Sequence, residues 1–370
     1  MDYTKIKVAL VHDYLIKLGG AEKVLDVLHQ MFPSAPVYTL LCDEHATNNH
    51  YAQWDIRTSW MMKLPQKFKR IDYWRTLMPQ AIESFDLSAY DLVISDSSSF
   101  AKGVITQPNC LHISYVHTPT RFLWFDIERH ISRGKFFGVV KKIIPYVLHR
   151  MRQWDFIAAR RPDVLIANSV TTQDRISKFY RLGSTVIYPP VELNRFNISK
   201  KKPQDYFLII SRLEPHKDLE IAIESSMTHD MPLVIVGTGT HEAVLKRLAG
   251  NSIKFVGNVD DAERDRLLYG AKALIAPQIE DFGITLVEAL ATGTPVIARA
   301  MGGALEIVQS PKIGVLLKEM TVENLSEILT NFDQSHYDSQ LCVSIAKQFS
   351  QDIFMKQMFK MIELNLATKD

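Results

Sequence analysis

The sequence predicts an α/β fold built from two Rossmann-like, doubly wound domains that face a cleft. Apolar, strand-like runs alternate with amphipathic helical segments through both halves of the chain, which is typical of parallel sheets covered by helices on both faces. The alternation is interrupted once, at the prolines 189–190 and the polar stretch 197–205. With 370 residues, 46% of them hydrophobic, the chain is long enough for two separate cores.

The individual elements follow from these runs. Buried strands are predicted in the first half at residues 7–12, 92–95, 111–116 and 164–168. Those of the second half are predicted at 206–211, 233–236, 253–256, 273–276 and 296–298. We therefore expect one domain over residues 1–190 and a second over 191–350. The segment 351–370 should form a final helix that packs back on the first domain.

Composition restricts the class of protein. Charged residues make up 23% of the chain, which is typical of a folded protein. We find no secretory signal and no apolar run near the roughly 18 residues that a membrane-spanning helix needs. The three cysteines are scattered, without metal-site spacing or a disulfide framework. These observations predict a cytoplasmic protein.

The charge is distributed unevenly. Residues 1–190 hold 24 Lys and Arg against 17 Asp and Glu, a balance of +7, whereas residues 191–370 hold 19 against 24, a balance of −5. Two basic, aromatic-rich stretches lie in the first half, at 57–75 and 133–161. Such stretches suit an anionic membrane surface. They are also typical of solvated helix faces above a core stripe, and both interpretations remain open here.

The most informative segment is EDFGITLVEALATGTPVIA, residues 280–298. Glu280 is placed to accept hydrogen bonds from sugar hydroxyls, and Glu288 in the following helix could reach a ribose diol. Gly283 permits a tight turn into that helix. The N–H groups of Phe282, Gly283 and Ile284 would then form an anion-binding helix terminus. An amphipathic α/β unit with one solvated Glu and one cap is the alternative.

Two cations follow the first strand of the second half. Arg212 and Lys217 lie in SRLEPHKD, residues 211–218, at the strand end where open α/β sheets bind ligands. Such a pair suits a diphosphate leaving group. Two ordinary surface cations would give the same sequence.

Glycine-containing loops also follow strands of the second half. Gly237 and Gly239 belong to a GxG, which is a weak signal and is typical of a tight turn between strand and helix. Gly257, Asn258 and Val259 follow the next strand and would let main-chain groups contact a nucleotide base.

Three candidate positions lie in the first half. Gly19 and Gly20 separate a strand from a helix, so their N–H groups could approach a phosphate or sugar closely, although a plain turn is equally consistent. His117 ends a strand and should point into the crevice, but a lone histidine is often structural. Ser169 ends another strand, and a helix N-cap alone would explain it.

These segments together resemble a known family. The sequences GGAEKVL, HTPTRFLW, ANSVTTQDRI, YPPVE, SRLEPHKD, VGTG, FVGNV and EDFGITLVEALATGTPVIA are similar to those of retaining, nucleotide-sugar-dependent glycosyltransferases of family four, which have the GT-B fold. They occur in the family's order over about residues 6–310. The likeness is closest to bacterial O-antigen and capsule mannosyltransferases, through HDYLIKLGGAEKVL, AIESFDLSAYDLVIS, AKGVITQPN and HTPTRFLW.

The resemblance implies a role for each matched residue. Glu280 would hold the donor sugar's hydroxyls and Glu288 the ribose, while Arg212 and Lys217 would neutralise the departing diphosphate. His117 would lie beside the donor sugar at the reacting face.

Other implied features concern the first domain and two departures from the family pattern. The first domain would bind the acceptor and the second the nucleotide-sugar, with Gly20 contacting the diphosphate or sugar. Asp218 stands where the family frequently has glycine. Phe125 precedes Asp126, which leaves open whether Asp126 matches the family's acid.

The resemblance implies a retaining hexosyl transfer by front-face attack, without a cofactor. No Asp-x-Asp element accompanies the motifs, so we expect the reaction to be metal-independent. The expected donor is GDP-mannose and the expected acceptor a polyprenyl-diphosphate-linked saccharide in O-antigen or capsular polysaccharide synthesis. Such an enzyme would bind peripherally to the inner face of the cytoplasmic membrane and would not bind nucleic acid.

Alternative functions remain. A UDP-sugar-dependent enzyme of the same fold would carry the same motifs, and a non-catalytic nucleotide-sugar-binding subunit belongs to a different class. Joint retention of the candidate site residues counts against the second alternative. An NAD-dependent enzyme is excluded, because no G-x-G-x-x-G follows the first strand.

Overall fold

The computed structural model describes residues 6–69, 71–125 and 139–367, with the backbone alone for residues 139–142. The chain divides into two compact units. The first comprises Met1–Pro190 together with Phe354–Asp370, and the second comprises Val191–Ile353. Each unit contains one parallel sheet with helices, so the predicted α/β fold class with two parallel-sheet domains is confirmed.

The first sheet has seven parallel strands in the order β3-β2-β1-β4-β5-β6-β7. Their bounds are β1 Val8–His12, β2 Val37–Thr39, β3 Ile56–Thr58, β4 Leu92–Ser97, β5 Leu111–Val116, β6 Val164–Ala167 and β7 Thr185–Val186. The strand order reverses between β1 and β4, which pair with Val8 opposite Leu92 and His12 opposite Asp96. In open parallel sheets, ligands bind beyond the carboxyl ends of strands at such a reversal.

Helices of the first unit cover both faces of this sheet. The α-helices are Gly20–Met31, Ile71–Trp74, Met78–Glu83, Arg121–Trp124, Val139–Ala158, Val170–Tyr180 and, from Phe354 onward, the final helix Gln351–Leu366. Short 3-10 helices span Trp60–Lys63, Arg75–Leu77 and Ala101–Gly103. The final helix contributes Phe354, Met358 and Ile362 to one core of the first unit, where they join residues of β1, β4 and β5.

The second sheet has six parallel strands in the order β10-β9-β8-β11-β12-β13. They span β8 Phe207–Ile210, β9 Leu233–Val236, β10 Ile253–Gly257, β11 Leu274–Ala276, β12 Val296–Arg299 and β13 Gly314–Leu317. The reversal of order lies between β8 and β11. The loops that follow these two strands carry the basic segment 211–218 and the acidic segment beginning at Glu280.

The helices of the second unit follow its strands in turn. The α-helices are Leu219–Thr228, Glu242–Leu248, Asp261–Gly270, Ile284–Ala291, Ala304–Ile307, Val322–Thr330 and Ser339–Ala346. The 3-10 helices are Ile198–Lys200, Pro215–Lys217, Gln334–His336 and Lys347–Phe349. Over the described ranges, no helix is both long enough and apolar enough to cross a bilayer.

Candidate functional site

Lys217 and Glu280 meet at the strand-order reversal of the second sheet. Lys217 closes the 3-10 helix after β8, and its Nζ lies 2.5 Å from Glu280 Oε1. Gln278 donates from Nε2 to the same carboxylate oxygen at 3.2 Å. The Lys217 side chain is 9% exposed, whereas that of Glu280 is 29% exposed. The pair therefore presents a carboxylate to solvent above a largely buried cation.

Arg212 lies in the same loop and is exposed. Across the described ranges it has no ion-pair partner, which separates it from the paired Lys217. Its guanidinium is therefore available to an anion from solution, and guanidinium binds phosphate oxygens well in a two-pronged geometry.

The structure explains how Asp218 can stand where the resembled family frequently has glycine. Asp218 has φ 52° and ψ 35°, in the left-handed region that glycine adopts most easily. Its carboxylate accepts a hydrogen bond from Arg299 Nη2 at 2.8 Å, and Arg299 Nε also donates to the Pro277 carbonyl at 2.8 Å. An aspartate at this position therefore ties the basic loop to the strand β12, which a glycine would not.

The Glu280 loop is supported by the loop that follows β12. A side chain at Gly302 would place Cβ 2.2 Å from the Glu280 carbonyl oxygen, and one at Gly303 would place it 2.0 Å from that of Phe282. The Gly303 N–H donates to the Glu280 carbonyl at 3.0 Å. Sequence reasoning missed this glycine pair, although two adjacent glycines in the loop after a buried strand were a usable signal.

The helix after Glu280 begins at Ile284, with Gly283 as its N-cap at φ 104° and ψ 64°. Phe282 precedes the cap and is buried, with its ring 5.3 Å from that of Phe349 in an edge-on contact. Phe282 thus anchors the turn through its side chain. An anion site on its N–H remains a prediction.

Glu288 lies in a separate charged cluster. Its Oε1 is 3.3 Å from Arg195 Nη2 and 3.0 Å from Arg264 Nη2, and the glutamate is 2% exposed. Asp261 and Asp265 complete the cluster, because each pairs with Arg195 and Asp261 also pairs with Arg264. Burial raises the pKa of Asp265 even though the two arginines oppose that effect.

The structure does not join Glu288 to the Lys217–Glu280 pair by any hydrogen bond or ion pair among the residues that it describes. The predicted contact of Glu288 with ribose stays a prediction. Arg195 and Arg264 were missed by sequence reasoning, because a single arginine in a loop or on a polar helix gives no local pattern.

Packing accounts for Gly237 and Gly239. A Cβ at Gly237 would lie 1.9 Å from the Ser211 carbonyl oxygen, and one at Gly239 would lie 2.2 Å from that of Leu213. These glycines therefore let the loop after β9 lie directly on the basic loop after β8. This supports the tight-turn interpretation, while a direct role in donor binding is still a prediction.

The third candidate loop follows β10. Gly257 has φ 72°, and its carbonyl accepts a hydrogen bond from the Gly237 N–H at 2.7 Å. Asn258 is exposed and Val259 is half-buried. The contact with a base that we expect of this loop is not tested by these distances.

In the first unit, His117 belongs to a cluster of four ionisable side chains. His117 Nε2 lies 2.5 Å from Asp96 Oδ1, and His12 Nδ1 lies 2.9 Å from Asp96 Oδ2. His12 Nε2 is 3.9 Å from Glu22 Oε1, which is an ion pair but too long for a direct hydrogen bond. His12, Asp96 and His117 all lie at or just beyond the carboxyl ends of β1, β4 and β5.

The charges in this cluster support one another. Burial alone would lower the pKa of His12, but the carboxylates of Asp96 and Glu22 outweigh it and raise that pKa to about 10. Burial opposes ionisation of Asp96 and Glu22. The contacts with His117 and His12 nevertheless hold the pKa of Asp96 below its usual range, and the contact with His12 does the same for Glu22. Sequence reasoning identified only His117, because its three partners are distant in sequence.

The remaining candidates of the first unit have structural roles. Gly19 is the N-cap of the helix that begins at Gly20, and its φ of −154° is ordinary extended backbone. Ser169 is the N-cap of Val170–Tyr180, as expected: its Oγ accepts from the Thr172 N–H at 3.1 Å and donates to Asn168 Oδ1 at 3.0 Å. Contacts of these residues with a ligand stay predictions.

Asp13 was not predicted and occupies an anion-binding turn. Its two carboxylate oxygens accept the four consecutive main-chain N–H groups of residues 98–101, each at 2.7 Å. Successive N–H groups of this kind form sites for phosphate in other proteins. Here the protein's own carboxylate, which is 2% exposed, fills the turn.

The HTPTRFLW segment is held by a buried carboxylate. Asp155 is fully buried and accepts from Lys102 Nζ at 2.6 Å, Thr120 Oγ1 at 2.7 Å, Trp124 Nε1 at 2.7 Å and Tyr180 OH at 2.8 Å. Asp155 is the single acid of the basic stretch 133–161. Because it faces the interior, it does not reduce the surface charge of that stretch.

Several cations of the two basic stretches bind within the protein. Arg57 pairs with Asp55 at 2.8 Å, and Arg161 pairs with Glu83 at 2.5 Å. Arg152 donates to the Leu123 carbonyl. Arg70 and residues 126–138, which include Asp126 and Arg133, lie outside the described residues, as do the side chains of residues 139–142.

The helix Val139–Ala158 exposes an apolar stripe. Ile143 is 52% exposed, Tyr146 61% and Ile157 59%, and Arg150 and Gln153 lie between them at helical spacing on the same exposed side. The exposed side of this helix therefore combines three large apolar side chains with a cation.

Residues 190–346 match the family model described as "Glycosyl transferases group 1". This segment is therefore similar to a glycosyl transferases group 1 domain. The segment coincides with most of the second unit, which carries Arg212, Lys217, Glu280 and Glu288.

Relatives of known function are similar over different spans. The chain is 29% identical to the phosphatidyl-myo-inositol mannosyltransferase of Mycobacterium leprae over 218 residues, which cover 55% of this chain and 53% of that protein. It is 25% identical to the alpha-1,3/1,6-mannosyltransferase ALG2 of Saccharomyces cerevisiae over 374 residues, covering 83% and 72%. The chain spans about half the length of the curated relatives that it matches first.

A solved structure supports the fold over nearly the whole chain. HepE of Anabaena, in complex with UDP and glucose, has a TM-score of 0.71 and 19% identity and covers 97% of this chain and 99% of its own. The fold is therefore that of GT-B glycosyltransferases.

Proposed function

We propose that this protein is a retaining α-mannosyltransferase that uses GDP-mannose. It would extend a polyprenyl-diphosphate-linked saccharide in the synthesis of O-antigen or capsular polysaccharide. The observation that carries this proposal is the Lys217–Glu280 pair at the strand reversal of the second sheet, with exposed Arg212 in the same loop. Two cations and a solvent-facing carboxylate suit a ligand with a diphosphate at one end and hydroxyls at the other.

The chemistry assigns a task to each group. The C1–O bond of the donor breaks and its electron pair moves to the diphosphate, where Lys217 and Arg212 stabilise the developing charge. The acceptor oxygen bonds to C1 on the same face, and its proton passes to the departing phosphate oxygen. Glu280, which is 29% exposed, holds the sugar by its hydroxyls. Because the cations supply the electrostatic stabilisation, the proposal includes no divalent metal and no cofactor.

The mannosyl donor is supported by the relatives that are mannosyltransferases. Among them are the mannosyltransferases from M. leprae and S. cerevisiae and, at 30% identity over 183 residues, a GDP-mannose-dependent mannosyltransferase of Corynebacterium glutamicum. A UDP-sugar is the second candidate, because HepE has been solved with UDP and with UDP-glucose.

Donor choice is tested by thermal-shift screening of the purified chain with GDP, UDP and ADP and their sugars, since a ligand that binds the folded state raises its stability. We expect GDP-mannose to give the largest shift. A larger shift with a UDP-sugar would identify that donor instead. Binding without transfer to any lipid-linked saccharide would support the non-catalytic subunit.

Transfer itself is tested with the preferred donor and a polyprenyl-diphosphate-linked saccharide. The anomeric configuration of the product, read by NMR, should match that of the donor. We expect the reaction to survive EDTA. Loss of activity on chelation that is restored by Mg²⁺ or Mn²⁺ would contradict metal independence.

We also propose that the first unit binds the cytoplasmic face of an anionic membrane peripherally. The exposed stripe of Ile143, Tyr146 and Ile157, with Arg150 beside it, supports this, as does the balance of +7 over residues 1–190. Apolar side chains flanked by cations suit the headgroup region of a bilayer. The proposed interface includes Lys141 and Lys142, whose side chains lie outside the described part.

Sedimentation with phosphatidylglycerol vesicles tests this surface. Wild-type protein should sediment at low salt and be released at high salt, because exposed charges are screened over about 10 Å at 0.1 M ionic strength. Glutamate at Lys67, Lys69, Lys141 and Lys142 should abolish sedimentation. The matched control is Lys246→Glu in the second unit, a cation that is 54% exposed. Equal sedimentation of the quadruple variant would mark these stretches as ordinary solvated faces.

A further inference from the structure

Asp96 is one carboxylate shared by two histidines. It is fully buried at the end of β4, and each of its oxygens contacts a different ring: Oδ1 contacts His117 Nε2 at 2.5 Å and Oδ2 contacts His12 Nδ1 at 2.9 Å. A buried, ionised carboxylate is stable when each of its oxygens accepts a hydrogen bond, and leaving either oxygen without a donor would be costly.

The ionised state of Asp96 fixes where the protons lie. A carboxylate accepts hydrogen bonds and donates none, so the ring nitrogen that faces each oxygen must carry a proton. His117 therefore has its proton on Nε2 and His12 has one on Nδ1. The hydrogen bond made by one ring nitrogen of a histidine commonly determines which of the two nitrogens carries the proton.

His12 has a second carboxylate on its other side. Glu22, in the first turn of Gly20–Met31, lies 3.9 Å from His12 Nε2, and His12 is 3% exposed. An imidazole enclosed between two carboxylates is stable as a cation. The charge of His12 thus partly neutralises Asp96, and Asp96 still accepts the hydrogen bond from His117 Nε2.

This arrangement leaves Nδ1 of His117 without a proton. The His117 side chain is 13% exposed, and its Nδ1 has no hydrogen-bond partner within the part of the chain that the structure describes. The backbone of His117 is fixed independently, because its carbonyl accepts from Thr172 Oγ1 at 3.0 Å and its N–H donates to the Ser97 carbonyl at 2.9 Å.

We propose that Asp96 is a positioning residue that holds the proton of His117 on Nε2 and thereby presents Nδ1 as the acceptor for a saccharide hydroxyl, with His12 and Glu22 as its charged support. The identity of the ligand rests on the proposed function, whereas the tautomer does not. Asp96 acts through His117 and need not contact the ligand.

The tautomer is measured by long-range ¹H–¹⁵N correlation NMR on the full chain labelled with ¹⁵N-histidine at neutral pH. The variants His117→Gln and His12→Gln assign the two signals. We expect a protonated Nε2 and an unprotonated Nδ1 in His117, and protons on both nitrogens of His12. A His117 ring protonated on Nδ1 in the wild-type protein would overturn the proposal without any variant.

Asp96→Asn tests the cause. Asparagine keeps the shape of aspartate but offers only one acceptor atom, so the population of the Nε2–H form of His117 should fall. The matched control is Asp163→Asn, at the residue before β6. Asp163 accepts a hydrogen bond from the His112 backbone N–H at 2.8 Å, near the amino end of β5 and away from His117. An unchanged His117 spectrum in folded Asp96→Asn protein would show that Asp96 does not set the tautomer.

A kinetic measurement separates this inference from the proposed function. With the donor and acceptor that turn over, Asp96→Asn should lower kcat/KM by about 10- to 100-fold, as expected for losing a hydrogen bond to a charged group, and Asp163→Asn should not. Full activity of Asp96→Asn would contradict the positioning role. Absence of turnover in the wild type would contradict the proposed function, while the NMR result still decides the tautomer.

Discussion

The two units place their ionisable residues in contrasting surroundings at the carboxyl ends of their sheets. In the first unit, His12 and Asp96 are 3% and 0% exposed, and their charges are matched within the protein. In the second unit, the Glu280 side chain is 29% exposed above Lys217, and Arg212 in the same loop is exposed. Both sets lie at or beside a reversal of strand order.

This difference shows that the same type of sheet can hold groups in fixed protonation states in one unit and groups that exchange partners with a ligand in the other. A buried cluster keeps fixed protonation states because its groups have no solvent with which to exchange partners, and low polarity strengthens each pairing. A partly exposed pair can exchange one partner for a ligand at a smaller cost, since water screens the separated charges. We therefore expect changes in the buried cluster to affect stability and its pH dependence as well as turnover, and changes at the exposed pair to affect mainly ligand affinity and turnover.

The largest expected effect is on stability, at Asp155 in the first unit. Asp155→Asn leaves Lys102, which is 1% exposed at its side chain, without its counter-charge. Breaking a buried ion pair on one side costs about 3–5 kcal/mol of unfolding free energy. Urea unfolding followed by tryptophan fluorescence isolates this unit, because all five tryptophans lie between residues 54 and 154.

Glu83→Gln is the matched control. The Glu83–Arg161 pair has side chains that are 29% and 25% exposed, so its loss should cost no more than about 1 kcal/mol. If Asp155→Asn cost as little as this control, Asp155 would not be the anchor of the HTPTRFLW segment.

In the second unit the largest effect should be on turnover. Lys217→Ala removes the cation held 2.5 Å from Glu280, and we expect kcat to fall by at least about 100-fold, as for loss of a preorganised charge on a leaving group. Lys246→Ala removes an exposed lysine of the same unit and should leave kcat unchanged. Near-normal turnover by folded Lys217→Ala protein would remove this residue from the mechanism.

The pH dependence of stability should distinguish the two units. His12 has a folded-state pKa raised to about 10, against about 6.5 for an unperturbed histidine. Its contribution is therefore fully present below about pH 6.5 and is lost as pH rises toward 10. Between pH 7.5 and 8.5 the unfolding free energy of the first unit should fall by about 1 kcal/mol.

His12→Gln should flatten that slope, and the exposed His45→Gln should not. Tryptophan fluorescence in urea at a series of pH values measures the effect. The same slope in His12→Gln as in wild type would mean that His12 is not charged in the folded protein.

The sequence predicted the fold well where burial leaves a simple pattern. The runs 111–116 and 233–236 were predicted with the observed bounds, and the other apolar runs were placed within two residues of theirs. The strands β2, β3 and β7 are only two or three residues long, and β13 was also missed. Short strands leave few residues to display a period, and β11, which also has three residues, was found because its run is apolar throughout.

The candidate sites were predictable only where the interacting residues share a segment or follow matching strands. Lys217 and Glu280 were both chosen as candidates from the sequence, because each follows a strand of the second sheet with a distinctive loop sequence, and their contact with a ligand stays a prediction. Asp96 and His12 were missed, because they contact each other across 84 residues and each is a single polar residue at the end of an apolar strand. Such contacts depend on strand order, which local periodicity does not specify.

The smallest expected effect concerns Asp218, where backbone strain and an ion pair oppose one another. Asp218→Gly relieves the left-handed conformation but loses the 2.8 Å contact with Arg299, so the unfolding free energy of the second unit should change by less than about 1 kcal/mol. Asp218→Ala loses the contact and keeps the strain, which should cost about 1 kcal/mol more than the glycine variant. Thermal unfolding of both variants by circular dichroism measures the difference. Equal stability of the two variants would contradict the strain, whereas a large loss in Asp218→Gly would show that the Arg299 contact holds the basic loop and that the second unit depends on internal charge pairing as the first does.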